Sequence, residues 1–160
     1  MTERIIIPLD GSRTGEAALH YVGQLVTRLE PKEVTEITLL HVISPPVHHI
    51  PVEGGVVDVF NGTQDLQQAK DLAMDYLDKA GEDLRGKGAI VNCKVVLGEG
   101  GVSSAASIIK AEEELNADLV AMSTHGRRGF SRWAYGSVTE KVLRGGSVPV
   151  LMVRVKKEAT

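Results

Sequence analysis

Short apolar runs alternate with amphipathic helical patterns along this chain, and that alternation constrains its fold more than any other feature. The first run contains Ile5-Ile6-Ile7, which is β-branched and apolar on both faces. Strands that are apolar on both faces are typical of parallel sheets covered by helices on each side. The expected strands span residues 4–9, 36–43, 90–97, 118–124 and 148–155.

Between these strands, apolar residues recur at helical spacing. Right-handed crossovers between successive parallel strands leave few topologies, and the strand order 3-2-1-4-5 is the simplest of them. The sequence therefore predicts an α/β fold: one doubly wound, open, parallel five-stranded sheet with helices on both faces, which is Rossmann-like. Helices are expected over residues 18–29, 66–84, 102–115 and 137–144.

Composition narrows the class of protein further. The chain has 160 residues, which suits a single domain over residues 1–160, and its net charge of −3 gives no reason to expect nucleic acid as a partner. A lone cysteine, Cys93, excludes an internal disulfide and favours a reducing compartment. No apolar stretch approaches the roughly 18 residues of a membrane helix. We expect a cytoplasmic protein without a membrane partner.

Residues 44–65 differ in character from the rest of the chain. They contain several prolines and glycines, among them Pro45, Pro46, Gly54 and Gly55, and show no sustained periodicity. Connections of this length inside a compact domain are uncommon and are usually functional. We predict a long surface loop that serves as a lid or as a surface for a protein partner.

The predicted topology points to a ligand site before any motif is considered. In open parallel sheets, ligands bind beyond the carboxyl ends of the strands, where the winding reverses. Here the reversal falls between the first and fourth strands. The segments that follow them are Pro8-Leu9-Asp10-Gly11-Ser12 and Ser123-Thr124-His125-Gly126.

The region after the fourth strand has features of a phosphate site. Gly126 follows the strand, and Gly136-Ser137 opens a helix whose unpaired amides and positive dipole end suit an anion. Ser137 and Thr139 add hydroxyls that can donate to phosphate oxygens or meet a metal ion. Taken alone, these residues are better explained as a loop and a helix cap than as a phosphate site.

The same region resembles the nucleotide-binding signature of the universal stress protein family, which reads Gly, two residues, Gly, nine residues, Gly, then Ser or Thr. Gly126, residues 127–135 and Gly136-Ser137 match it, whereas Ser123 stands where the first glycine belongs. The resemblance extends to the opening Ile-Pro-Leu-Asp-Gly-Ser, to Leu-Leu-His-Val at the end of the second strand, and to the closing Val-Pro-Val-Leu-Met-Val.

This resemblance implies roles for individual residues in binding ATP, with Mg²⁺ as its companion ion. Asp10 would bond the adenine or ribose side, Val42 would contact the base, and Arg127 would reach the phosphates. Structural roles stay open: Asp10 as a helix-terminal acid, Arg127 as an exposed side chain, and His41 as a residue packed at the sheet end. The full set of expected nucleotide-binding residues is Pro8, Leu9, Asp10, Val42, Met122, Ser123, Gly126, Arg127, Gly136, Ser137, Val138 and Thr139.

Three functions are compatible with these residues. The first is an ATP-binding stress-response module with at most slow hydrolysis, because paired carboxylates, an activated nucleophile and a P-loop lysine are not visible. The second is an adenine-nucleotide enzyme acting at the α-phosphate. The third is a dimeric stress protein that binds no nucleotide, which Ser123 favours. The resemblance also implies a homodimer through residues 148–155, whose apolar edge a second copy would pair.

Overall fold

A computed structural model describes residues 2–28, 34–44, 48–59, 63–98, 103–124 and 136–155. Strands and helices alternate through these ranges, as the apolar pattern predicts. In chain order the elements are β1 (Thr2–Pro8), α1 (Ala17–Val26), β2 (Val34–Ile43), β3 (His48–Val52), β4 (Gly55–Val59), α2 (Thr63–Ala80), α3 (Glu82–Gly86), β5 (Ile90–Leu97), α4 (Ser104–Glu114), β6 (Leu119–Thr124), α5 (Ser137–Gly145) and β7 (Val150–Arg154).

The main sheet has five parallel strands in the order β5-β2-β1-β6-β7. This confirms the predicted order 3-2-1-4-5. The strand β1 pairs with β2 from Thr2–Val34 to Pro8–Leu40, and on its other side with β6 at Ile5–Leu119. The winding therefore reverses between β1 and β6, so their carboxyl ends meet at the crevice where ligands bind in such folds.

Two apolar clusters cover the two faces of the sheet. Successive side chains of a strand point to opposite faces, and β1 divides accordingly. Ile5 and Ile7 pack with residues of α1, α2 and α3, whereas Ile6 packs with residues of α4 and α5. Each fully buried isoleucine contributes about 1.5–3 kcal/mol relative to an exposed one. The apolar runs that predict the strands thus supply the core on both sides.

The second predicted helix, residues 66–84, is divided at Gly81 into α2 and α3. A β-carbon at this position would lie 2.9 Å from Val91 Cγ1 and 3.3 Å from Leu39 Cδ1. The chain passes so close to the sheet here that a side chain would clash. The glycine, read from the sequence as part of one continuous helix, marks this close approach.

The segment 44–65 contains regular structure that the sequence prediction of a plain surface loop missed. Strands β3 and β4 form an antiparallel hairpin, with His48 opposite Val59 and Val52 opposite Gly55. The two-residue turn between them includes Gly54, whose φ of +103° suits a glycine. A Gly-Gly pair flanked by valines is a hairpin signal, but Pro51 within the first strand argued against it.

The remaining boundaries agree with the prediction to within a few residues. The edge strand β7 is shorter than the expected 148–155, and α1 ends at Val26, while residues 29–33 lie outside the described ranges. No helix within the described ranges has the length and apolar character needed to cross a membrane.

Candidate functional site

A cavity of about 510 Å³ opens at the carboxyl edge of the main sheet. It lies where β1, β2 and β6 end and where α4 and α5 begin, which is the crevice that the topology predicts. Its lining consists of Pro8, Leu9, Asp10, Gly15, Leu40, His41, Val42, Ser44, Ser104, Ile108, Met122, Ser123, Thr124, Gly136, Ser137, Val138 and Thr139.

Ten of the twelve sequence-predicted residues line this one cavity, although they come from four separate segments of the chain. The other two, Gly126 and Arg127, lie outside the described residues. The ten are Pro8, Leu9, Asp10, Val42, Met122, Ser123, Gly136, Ser137, Val138 and Thr139.

Part of the cavity wall is apolar. Leu9 and Met122 are both buried, and Ile108 from α4 belongs to the core cluster on the face of the sheet that α4 and α5 cover. Val42 packs against the same core cluster from the end of β2. Apolar walls carrying a few fixed polar groups are typical of sites for small organic ligands, since the walls bury the ligand and the polar groups orient it.

Another part of the wall is the N-terminus of α5. Gly136 is the N-cap residue, with φ −55° and ψ 147°, and as a glycine it makes no side-chain capping hydrogen bond. The first amides of an α-helix have no intrahelical acceptor, so those of the first turn are available to an anion. Thr139 in this turn is only 5% exposed. A β-carbon at Gly136 would meet no described atom within 4 Å.

Neither packing against the described residues nor backbone strain explains a glycine at position 136. Its φ is one that any residue adopts, and no described atom lies beside its α-carbon. A bound group that approaches the backbone closely would account for the missing side chain.

The loop between β1 and α1 is organised around Asp10. Its Oδ1 accepts hydrogen bonds from the Ser12 amide at 2.9 Å and from the Ser12 hydroxyl at 2.6 Å. Ser12 Oγ in turn accepts the amide of Gly15 at 3.0 Å. Gly15 has no room for a side chain, because a β-carbon there would lie 2.8 Å from Asp10 Oδ1. The loop thus holds the Asp10 carboxylate in one place beside the cavity.

Ser123, at the end of β6, joins this loop to the sheet. Its hydroxyl accepts the amide of Ala18 at 2.8 Å and donates to the carbonyl of Gly15 at 2.9 Å. Ser123 is one of the expected nucleotide-binding residues, and its role toward a nucleotide stays a prediction. The residue lines the cavity, but its hydroxyl is directed to α1 and the loop before it.

His41 lies at the sheet end, as expected, and it also lines the cavity. Its Nδ1 is 2.8 Å from the carbonyl oxygen of Leu9, and its ring meets the ring of Tyr76 edge-on at a centroid distance of 6.5 Å. The Tyr76 hydroxyl donates to Glu16 Oε1 at 3.1 Å. Burial and the neighbouring Glu16 carboxylate raise the pKa of Tyr76 above its ordinary value.

Seven residues that line the cavity are not among the predicted nucleotide-binding residues, although Thr124 belongs to a segment that the topology predicts. Ser44 follows a strand and Ser104 opens a helix, and the seven share a position at the carboxyl edge of the sheet rather than a motif. The rule that ligands bind beyond the carboxyl ends of the strands identifies the segments after the first and fourth strands. It also applies to the end of the second strand and to the helix that follows the third strand. Extending it would have found Ser44 and Ser104. The full set is Gly15, Leu40, His41, Ser44, Ser104, Ile108 and Thr124.

Comparisons with known proteins agree with this architecture. The family model described as "Universal stress protein family" matches residues 1–154. The universal stress protein MJ0531 of Methanocaldococcus jannaschii is 29% identical over 162 residues, covering 98% of this chain and 84% of the relative. The universal stress protein MJ0577 of the same organism is 28% identical over 167 residues, covering 98% of this chain and 97% of the relative.

Solved structures of the same fold include several with nucleotides. The structure of MJ0577 superposes with a TM-score of 0.68 at 23% identity over 98% of both chains. A family protein of Arabidopsis thaliana with AMP bound gives 0.62 at 12% identity, covering 97% of this chain and 93% of that one. A universal stress protein in complex with cAMP gives a TM-score of 0.59 at 18% identity, covering 96% of this chain and 98% of that one. The universal stress protein of Archaeoglobus fulgidus in complex with dAMP gives a TM-score of 0.55 at 18% identity, covering 95% of this chain and 97% of that one.

Proposed function

Because this chain belongs to the universal stress protein family, we propose that the cavity at the carboxyl edge of its sheet binds an adenine nucleotide, with ATP as the ligand. One observation carries the proposal: residues expected from separate segments to contact base, sugar and phosphates line a single cavity of about 510 Å³. That volume lies within the range of about 300–1,000 Å³ typical of small-molecule sites. Structural neighbours that bind AMP, dAMP or cAMP support an adenylate.

The apolar part of the wall suits the adenine ring. Pro8, Leu9 and Val42 come from the ends of β1 and β2, and Met122 approaches from β6. A planar base placed among them would lose apolar surface to the protein, at about 25 cal/mol per Å² buried. The Asp10 carboxylate beside them is an acceptor for a ribose hydroxyl or a base amino group.

The N-terminus of α5 suits the phosphates. Its amides and the hydroxyls of Ser137 and Thr139 are donors, and the dipole of a nine-residue helix favours negative charge at this end. None of the described residues that line the cavity is a lysine or arginine. We infer that the described part of the site holds phosphate mainly through backbone amides and hydroxyls. Arg127 is retained as an additional phosphate ligand from outside the described residues.

A magnesium ion would enter with the nucleotide. The described residues contain no group of three or more His, Cys, Asp or Glu side chains arranged to hold a metal ion. Mg²⁺ generally keeps several waters and is bound through one or two protein ligands together with substrate phosphates; these are usually carboxylates, and a Ser or Thr hydroxyl serves in P-loop proteins. The Ser137 and Thr139 hydroxyls fit that limited role. Bound there, the ion would neutralise phosphate charge.

The site favours retention of nucleotide over rapid turnover. Asp10 and His41 are the only residues with titratable side chains among the described lining. Asp10 accepts two hydrogen bonds from Ser12, which does not line the cavity, and His41 is bonded to the Leu9 carbonyl, so these contacts activate no nucleophile within the described lining. We propose that nucleotide occupancy is the signal, with at most slow hydrolysis, and that a protein partner responds to it.

Incubation of the purified protein with ATP and Mg²⁺ tests this function. Nucleotide retained on the protein and phosphate released to solution are measured together over several hours. Retention with less than one turnover per hour supports the proposal. Multiple turnovers with an added acceptor would indicate an enzyme acting at the α-phosphate instead, and failure to retain any adenylate would indicate a stress protein that works without nucleotide.

A homodimer is a second part of the proposal. The strand β7 ends the main sheet, with β6 on one side and no described strand on the other. Unpaired strand edges are commonly covered in native proteins, and a second copy of β7 would pair this one symmetrically.

We further propose that the segment 44–65, with its β3–β4 hairpin, contacts a partner or closes over the nucleotide, since it continues directly from a strand that reaches the cavity.

A further inference from the structure

We propose that Ser123 is a positioning residue of the nucleotide site: it fixes the loop from Asp10 to Glu16, which forms one wall of the cavity, by capping α1 from a distant strand. The inference rests on the proposed function, since it concerns the same cavity. Ser123 replaces the first glycine of the family signature, which favours a protein that binds no nucleotide. The proposed role is the contrary one, because here the serine supports the nucleotide site.

The helix α1 lacks a cap of its own. Its N-cap residue is Glu16, whose side chain makes no capping hydrogen bond, and its first turn contains no acidic residue. Ala18, in that first turn, is fully buried, so water cannot satisfy its amide. Ser123 Oγ accepts this amide at 2.8 Å. A serine 105 positions away in sequence thus performs the task that an N-cap side chain normally performs.

The same hydroxyl reaches the Asp10 carboxylate through the loop. It donates to the Gly15 carbonyl at 2.9 Å, and the Gly15 amide donates to Ser12 Oγ at 3.0 Å. Ser12 Oγ donates in turn to Asp10 Oδ1 at 2.6 Å. Hydrogen bonds to the carbonyl and to the amide of Gly15, joined through the backbone of that residue, therefore link the end of β6 to the Asp10 carboxylate that lines the cavity.

The direction of the side chain explains why it does not block the cavity. Along β6, Ala121 packs in the cluster that includes α1, and Met122 packs in the cluster on the opposite face. Side chains alternate along a strand, so Ser123 points to the α1 side with Ala121. The hydroxyl takes up no space on the ligand side, so a glycine at this position would not enlarge the cavity. It would, however, lose both hydrogen bonds.

Three substitutions test the inference through binding of ATP and AMP by titration calorimetry. Ser123→Gly restores the family signature, Ser123→Ala removes only the hydroxyl, and Ser123→Thr keeps a hydroxyl as the rescue variant. We expect about fivefold weaker binding for the first two, as expected for the loss of a helix cap, and binding within twofold of the parent for the third. Equal or tighter binding by Ser123→Gly would overturn the inference.

Amide hydrogen exchange of the free protein separates this inference from the proposed function. Without the hydroxyl, the Ala18 amide loses its acceptor, so its exchange in Ser123→Ala should be at least tenfold faster than in the parent and in Ser123→Thr. The amide of Ala111, a buried residue of α4 on the other face of the sheet, serves as the internal control. Unchanged exchange at Ala18 would refute the positioning role even if ATP binds. A parent protein that binds no adenylate would refute the proposed function, while the exchange rates still decide whether Ser123 holds the loop.

Discussion

Replacing Gly136 by valine should weaken ATP binding while leaving the fold intact. The residue is the N-cap of α5 and lines the cavity. A β-carbon there meets no described atom within 4 Å, and the φ of −55° is accessible to valine. Among the described residues the added side chain therefore meets no protein atom, and in the proposed complex it would meet the ligand.

The size of the effect follows from the contacts that the ligand would lose. A hydrogen bond to a charged group contributes about 1.5–3 kcal/mol. Displacing a phosphate from one amide of the α5 N-terminus should therefore raise the dissociation constant about 10- to 100-fold, since each 1.4 kcal/mol is a factor of ten. The cost to the stability of the free protein is about 1 kcal/mol, because glycine is a better N-cap than valine, and thermal denaturation measures it separately from binding.

The assay is titration calorimetry with ATP and Mg²⁺, combined with thermal denaturation of each variant. Gly136→Ser keeps capping chemistry but still adds atoms on the ligand side, so it separates the cap from the obstruction. Gly86→Val is the matched control, because Gly86 also has open space around it and ends α3, away from the cavity.

We expect Gly136→Val to bind ATP at least tenfold more weakly than Gly86→Val, with both variants folded. An unchanged dissociation constant for Gly136→Val would refute the assignment of phosphate to the α5 N-terminus. Unfolding of Gly136→Val but not of Gly136→Ser would instead show that the glycine is needed for packing that the described residues do not include.

Three further predictions address the loop, the tyrosine and the assembly. Gly15→Ala should destabilise the protein by about 1–3 kcal/mol in chemical denaturation and weaken ATP binding, because the β-carbon would displace the Asp10 carboxylate; unaltered binding would show that the carboxylate does not contact the ligand. Since the pKa of Tyr76 is raised in the folded state above the unfolded value of about 10, its contribution to stability is complete below pH 10 and is lost as the pH rises through the higher folded pKa. Glu16→Gln should lower that pKa in an ultraviolet titration, and no change would contradict the hydrogen bond as a cause. Analytical ultracentrifugation should show a dimer at micromolar concentration, whereas a monomer at all concentrations would exclude pairing through β7.

The strand order and the place of the cavity were predictable because they follow from general rules. Apolar runs such as Ile5-Ile6-Ile7 require cover on both faces, and right-handed crossovers then leave few arrangements. Once the order is known, the carboxyl ends of the first and fourth strands must meet. That is why Asp10 and Ser123, far apart in sequence, were predicted to lie at one site, whereas Gly136 was predicted from the helix that it opens and from the family signature.

The details that were missed depend on contacts between distant parts of the chain. The sequence gives Gly81 the pattern of an ordinary helix residue, and only the structure shows that Val91 packs against it. Likewise, only the structure shows that the hydroxyl of Ser123 bonds to α1. The hairpin was obscured for a different reason: Pro51 and the glycines of that segment outweigh its valines in a local interpretation. Local patterns therefore identified the elements, whereas side-chain partners required the three-dimensional structure.

A crystal structure of the protein grown with excess ATP and Mg²⁺ tests the central claim most directly. We predict electron density for the adenine among Pro8, Leu9 and Val42, with phosphate oxygens within hydrogen-bond distance of the amides at Gly136 and Ser137. An empty cavity at saturating nucleotide, or an adenylate bound at a different surface, would contradict this account.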